Sequence, residues 1–173
     1  MRRAGPVFLI ILLSTVTVLS LPPTEYQVKA ALVFNFLRFV DLPAQRIFNN
    51  KIHLCSFENN PLSQELKLLD NRQIGENRIV YMELKEDNLE KCSVFIVNRR
   101  GKEELNSLLE KVYQMGILTI SDIDGFGELG VVINMFLQDE KVKYEINLDA
   151  ADKTGVKISS RLLAIARIIQ KKK

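Results

Sequence analysis

The sequence predicts an α/β domain in which a mostly parallel sheet, closed by an antiparallel C-terminal hairpin, is flanked by helices. Three observations carry this expectation. Short apolar runs of strand length alternate with stretches of helical periodicity between residues 51 and 120. Two further runs, 131–137 and 142–148, are joined by the polar Gln138-Asp-Glu-Lys141, as an antiparallel hairpin would be. The 173 residues are 47% apolar and 26% charged, with 8 Gly and 5 Pro, too apolar for disorder and too poor in Gly and Pro for a fibre. A chain of this length makes one domain and buries roughly two-thirds of its unfolded surface with no metal to hold it.

Residues 1–20 read as a signal peptide rather than as part of the fold. Arg2 and Arg3 give a basic start, and 7–19 is an apolar stretch diluted only by Ser14, Thr15 and Thr17. That stretch falls short of the roughly 20 apolar residues a spanning helix needs. An uncut membrane anchor is therefore the weaker alternative, and the arginine pair alone is a poor twin-arginine signal. Cleavage after Ser20 would leave a domain over 21–173. Loss of Arg2 and Arg3 would take its charge from +3 to +1. The mature chain is expected in the periplasm.

Thr24-Glu-Tyr-Gln27 has the form of a capping box and opens a helix running to about Val40. Val28, Ala31, Leu32, Phe36 and Phe39 form one stripe, and Tyr26, Ala30, Val33, Phe34 and Leu37 the other side. Burial of that helix is favoured over a binding face. Asp41-Leu42-Pro43 ends it. A strand over 51–57 follows, then a helix over 62–69 with Pro61 before its first turn, and strands over 79–84 and 93–97. A helix over 102–115 is closed by Gly116, and a strand over 117–120 comes next. The loop with Gly125, Gly127 and Gly130 is no dinucleotide fingerprint, because it leads into a strand and offers no helix N-terminus to a pyrophosphate. After the hairpin, a short helix near 149–154 stops at Gly155, and a last helix is expected from Ser159 or Ser160 through Ile169. Lys171 to Lys173 suit the negative end of that helix or form a solvated tail.

Several function classes are disfavoured. Lysine and arginine are interspersed with acids rather than clustered, which argues against a nucleic-acid partner. His53 is the only histidine, so any Ser-His or Cys-His mechanism must pass through it. His53 and Cys55 share a strand face but lack the further ligands of a metal site, and no metal or cofactor is expected. Asp122, Asp124 and Glu128 could act as paired acids or hold a hard cation; solvated turn residues are the favoured reading. An exported chain with two cysteines points to a bond between Cys55 and Cys92, as a structural staple in preference to a redox sensor. It would make the first and third strands neighbours, in a 2-1-3 doubly wound order. The register would have to be offset, since Cys92 precedes its apolar run while Cys55 is late in its own.

Two stretches together carry a resemblance. Residues 28–43, Val28-Lys-Ala-Ala-Leu-Val-Phe-Asn-Phe-Leu-Arg-Phe-Val-Asp-Leu-Pro43, resemble the opening signature of the YfiR/HmsC family of periplasmic proteins. So does the C-terminal block: Ile120-Ser-Asp, Gly125-Phe126, Gly130, Ile133-Asn134, Tyr144-Glu-Ile-Asn-Leu148, Ala150-Ala151, Gly155 and Ile158-Ser-Ser-Arg-Leu-Leu163. The resemblance implies a Rossmann-like sheet and a non-catalytic role. The chain would repress an inner-membrane diguanylate cyclase by contacting its periplasmic region, and so control cyclic-di-GMP and biofilm formation. It also implies an outer-membrane lipoprotein as a releasing partner, and a homodimer is a further pairing to consider. A small-ligand-binding or transport-accessory protein is the alternative. Leu42 and Val131 depart from the family's usual Trp and Gly, and Gly127 and Asn134 occupy the region of a second cysteine pair found in some members. Cys55 and Cys92 resemble the family's other pair by spacing.

The partner surface is expected on the hairpin and the adjacent helix. In 142–148, Val142, Tyr144, Ile146 and Leu148 alternate with Lys143, Glu145 and Asn147. With the first set inward, Glu145 and Asn147 would be presented outward, with Ile133, Ala151 and Arg161 beside them. Glu145→Lys should then leave folding nearly intact. The structural alternative is that Glu145 pairs with Lys143, Arg161 or Arg167.

Overall fold

The computed structural model describes residues 22–57, 61–85, 88–97 and 102–170. The expected signal peptide and Lys171 to Lys173 lie outside the described residues. Thr24 and Gln27 form the capping box: the Gln27 N–H donates to Thr24 Oγ1 (3.3 Å) and the Thr24 N–H to Gln27 Oε1 (3.0 Å). Helix α1 (Glu25–Arg38) buries Ala30, Val33, Phe36 and Leu37, residues three and four apart, so the face inward is narrower than the stripes suggest and Ala31 is exposed.

Among the described residues, eight strands form one sheet. Its parallel centre is β4 (Asn77–Leu84), β2 (Lys51–Phe57), β5 (Val94–Val97), β6 (Leu118–Ser121) and β7 (Ile133–Gln138), in that order. In chain order this is 2-1-3-4-5, a doubly wound arrangement that contains the 2-1-3 order expected from the cysteines. β3 (Gln73–Ile74) turns back antiparallel on one edge through Gly75, whose φ of +57° suits a glycine. On the other side β8 (Lys141–Asn147) pairs antiparallel with β7, Gln138 opposite Lys141. Asp139 and Glu140 both take positive φ (50° and 59°), the two-residue turn that matches strand twist.

Helices cover both faces. α1 and α2 (Pro61–Lys67) pack on one, against Leu54, Val94, Ile120, Ile133, Tyr144 and Ile146. α3 (Lys102–Met115) covers the other, packing its Leu105 and Val112 over Phe95, Val97 and Val131. Pro61 sits inside the first turn of α2, where its missing N–H is harmless. Asn147 caps α4 (Leu148–Thr154) by accepting from the Ala150 N–H (2.9 Å), and Gly155 (φ +71°) ends it.

The last helix is shorter than the sequence predicts. Ser159 caps it as expected, accepting from the Arg161 N–H (3.3 Å), but α5 (Ser160–Leu163) stops after one turn. Arg167–Ile169 is instead a strand, β10, parallel to β8 with Arg167 opposite Glu145. Ile168 and Ile169 are β-branched, and the free edge of β8 supplies the backbone partners that a strand needs. A two-stranded pairing of β1 (Val40–Asp41) with β9 (Lys157–Ile158) ties the end of α1 to the segment after α4. Both it and the β3–β4 turn went unread in the sequence.

Cys55 and Cys92 are joined, with Cα atoms 5.8 Å apart and both side chains fully buried. The offset register is real: Cys55 lies opposite Phe95, not Cys92. A turn resolves it. The Cys92 N–H donates to the Leu89 carbonyl and the Ser93 N–H to that of His53 (2.9 Å each), so the chain folds back over Cys55 before entering β5. Arg46 Nη1 also donates to the carbonyls of Glu90 (3.0 Å) and Cys92 (3.3 Å). The bond spans a sequence separation of 37, a loop whose closure stabilises by about 4 kcal/mol in the chain-entropy account. Reduction, or Cys55→Ala with Cys92→Ala, should lower unfolding stability by about 2–4 kcal/mol in denaturant titration; an unchanged midpoint would show that the bond carries none of the fold.

Candidate functional site

The alternation of β8 holds, but its outward face is not open. Tyr144 and Ile146 pack toward α1, the Tyr144 ring meeting Phe36 edge-on at 4.9 Å. Glu145 and Asn147 point the other way, and there the glycine-bearing loop covers them. Asn147 Nδ2 donates to the Gly127 carbonyl (2.9 Å). A Cβ at Gly127 would overlap the Glu145 carboxylate, so the close approach requires glycine.

Glu145 is 1% exposed. Its Oε1 accepts from Asn134 Nδ2 (3.0 Å), and its Oε2 accepts from Arg167 Nε (2.7 Å) and from Arg167 Nη2. The Arg167 guanidinium lies over the Phe136 ring at 4.3 Å, on the half-exposed side of the hairpin. The pairing with Arg167 was one of three the sequence allowed. Asn134 was missed, although its place in β7, directly opposite Glu145, could have been found from the hairpin register. Asn134 Oδ1 is buried without a partner among the described residues.

This burial corrects the expected docking face. Ile133 and Ala151 belong to the core, Asn147 is spent on a cap and a loop carbonyl, and Glu145 is held by three donors. Of the five residues, Arg161 alone is exposed. A partner reaching this region meets the loop, α4 and β10 rather than Glu145 itself.

A second buried charge lies at the carboxyl end of β6. Lys29 is buried, with Nζ 2.6 Å from Glu25 and 2.9 Å from Asp122. Burial works against its positive charge, but hydrogen bonds and charge from Glu25 and Asp122 outweigh it and raise its pKa above the usual lysine value. Asp122 is therefore no solvated turn residue, whereas Asp124 and Glu128 are exposed as expected. With Asp124, Phe136 and Leu137 these groups border a cleft of about 300 Å³. His53 Nδ1–H donates to the Lys91 carbonyl (2.8 Å), and its ring stacks on Phe48 at 5.0 Å. Among the described residues no group of three His, Cys, Asp or Glu could hold a metal. A larger cleft, about 790 Å³, opens between α3, the glycine-bearing loop, α4 and β10.

Two expectations follow. Glu145→Lys would place a buried ammonium beside Arg167; it should cost about 3–5 kcal/mol in thermal or chemical unfolding, and a nearly neutral result would contradict the burial. Lys29, Tyr81, Tyr113 and Tyr144 all have raised pKa values, the tyrosines because burial disfavours the phenolate. Each binds its proton more tightly folded than unfolded. Their contribution is thus complete below about pH 10 and is lost as pH rises beyond it. The melting temperature should fall on titration above pH 10, and Lys29→Met should flatten that fall.

Among solved structures the chain is similar in fold to a conserved domain protein from Vibrio cholerae, with TM-score 0.56 and 13% identity over 85% of this chain and 60% of that one. It is also similar to the ABC domain from Streptococcus pneumoniae solved in complex with L-Trp, with TM-score 0.52 and 9% identity over 83% of this chain and 60% of that one. The chain spans about three-fifths of both, and at these identities the likeness is one of α/β fold alone. No curated protein matches the sequence. The sequence model of one family covers residues 26–167, from the first helix to the start of β10, and on that match the chain belongs to the YfiR/HmsC-like family.

Proposed function

We propose that this chain is an exported, non-catalytic regulator that represses an inner-membrane diguanylate cyclase by binding its periplasmic region. The observation that carries the reading is the reach of the family match: residues 26–167 take in the capped first helix, the whole parallel centre and the hairpin. The Cys55–Cys92 bond supports it, since such bonds persist in oxidising compartments. The fate of the acidic groups supports it too. Glu145 is held in an ion pair with Arg167 and Asp122 in one with Lys29, the placement of structural rather than reacting carboxylates. In this reading the output is cyclic-di-GMP and biofilm formation, an outer-membrane lipoprotein provides release, and two copies associate as a homodimer.

The test is expression in the native host with and without residues 1–20. The full chain should yield a periplasmic protein starting near Leu21 by intact mass, lower cyclic-di-GMP severalfold, and cross-link to a membrane protein carrying a cyclase domain. The version retained in the cytoplasm should do none of these. Unchanged cyclic-di-GMP with abundant, folded periplasmic protein would reject the proposal.

A further inference from the structure

The larger cleft has an apolar floor and an acidic rim. Leu109, Leu129 and Ile169 line it, with Tyr113 held in place by donating its hydroxyl to the Gly130 carbonyl (2.6 Å). Glu110 on α3, Glu128 on the loop and Asp152 on α4 stand around the opening. All three are exposed, and none makes an ion pair among the described residues. The lysine of the cleft, Lys153, lies over the Tyr113 ring at 5.1 Å. A surface of this kind repels an acidic occupant and attracts a basic one.

A separate observation concerns the wall made by β10. This strand ends the sheet order, so among the described residues its outer edge has no strand partner. Natural edges are protected by charge, proline or a covering element. Here Ile168 is 43% exposed and the nearby Ile165 77%. Ile169 lines the cleft, and a terminal strand of this kind can take up an extended chain as a further strand. Edge and cleft thus call for one occupant: an extended polypeptide segment whose alternate side chains are basic and apolar.

We infer that such a segment of a protein partner docks here, adding a strand to β10 with its basic side chains among Glu110, Glu128 and Asp152. This rests on the reading of the chain as a regulator that acts by protein contact. It places the contact on the far side of the loop that buries Glu145. A small cation is disfavoured as occupant because the carboxylates come from three separate elements around an apolar floor, and no three-ligand group is present among the described residues.

The probe is a synthetic decapeptide alternating lysine and valine, titrated into the mature protein and followed by amide chemical shifts. Its counterpart carries glutamate in place of lysine. The lysine peptide should move resonances of 109–113, 128–130, 149–153 and 167–170, with an affinity that falls as salt is added. Combined Glu110→Lys, Glu128→Lys and Asp152→Lys should weaken it about tenfold or more at an unchanged melting temperature, since these side chains are exposed. Ile168→Lys should weaken it through the edge alone. Equal binding of the glutamate peptide, binding indifferent to these variants, or shifts centred elsewhere would overturn the inference. So would calcium ions alone moving the same resonances, or binding seen only after removal of residues 171–173. If the chain fails to lower cyclic-di-GMP yet binds the peptide as described, the regulator reading falls and the docking site stands.

Discussion

The C-terminal half of this protein is organised around one buried carboxylate. Glu145 sits in the middle of β8, and each neighbouring piece of structure is placed to satisfy it. Asn134 reaches from β7, Arg167 from β10, and the loop between β6 and β7 must present Gly127 because no side chain fits against the carboxylate. A carboxylate withdrawn from water this far is stable only when its oxygens are matched by donors, one of them charged. The requirement explains why the chain after α5 returns to the sheet as a strand. Arg167 has to arrive beside Glu145, and parallel pairing with β8 sets it directly opposite.

A second constraint acts in the middle of the sheet. The bond between Cys55 and Cys92 fixes the turn before β5 against β2, where two adjacent parallel strands begin the doubly wound order. Arg46 and Ser93 reinforce the same turn: the guanidinium donates to two carbonyls of the turn, and the Ser93 hydroxyl donates to the Arg46 carbonyl. The two constraints serve different parts of the domain, and the exposed carboxylates around the cleft between α3, α4 and β10, those of Glu110, Glu128 and Asp152, take part in neither. That is where a protein acting by contact can carry its specificity without unsettling its core.

Much of this was legible in the sequence, and the failures have physical causes. The capping box at Thr24, the bounds of α3 and the hairpin were readable because each rests on local chemistry or on an alternating pattern, and the 2-1-3 part of the strand order because two cysteines had to meet. The last helix was overcalled because Arg161 to Ile169 has good helical periodicity; a free strand edge overrode it, and edges are a property of the assembled sheet. The same limit governs Glu145. Alternation correctly gave the face on which it lies, but whether that face meets water depended on a loop folding over it from residues 125–130. The clue was in the three glycines, read as turn formers when Gly127 is there to let a carboxylate pass close by. Lys29 gave no signal, since a lysine within an apolar helix reads as a solvated tip until Asp122 is found 2.9 Å away.

The central claim is that Glu145, with Asn134 and Arg167, holds the C-terminal half of the fold together. A double-mutant cycle in denaturant unfolding, with Glu145→Gln and Arg167→Gln made singly and together, tests it most directly. The account predicts a coupling of more than about 1 kcal/mol, with the double variant less destabilised than the sum of the single ones. Additive effects, with both single variants close to the parent in stability, would contradict it.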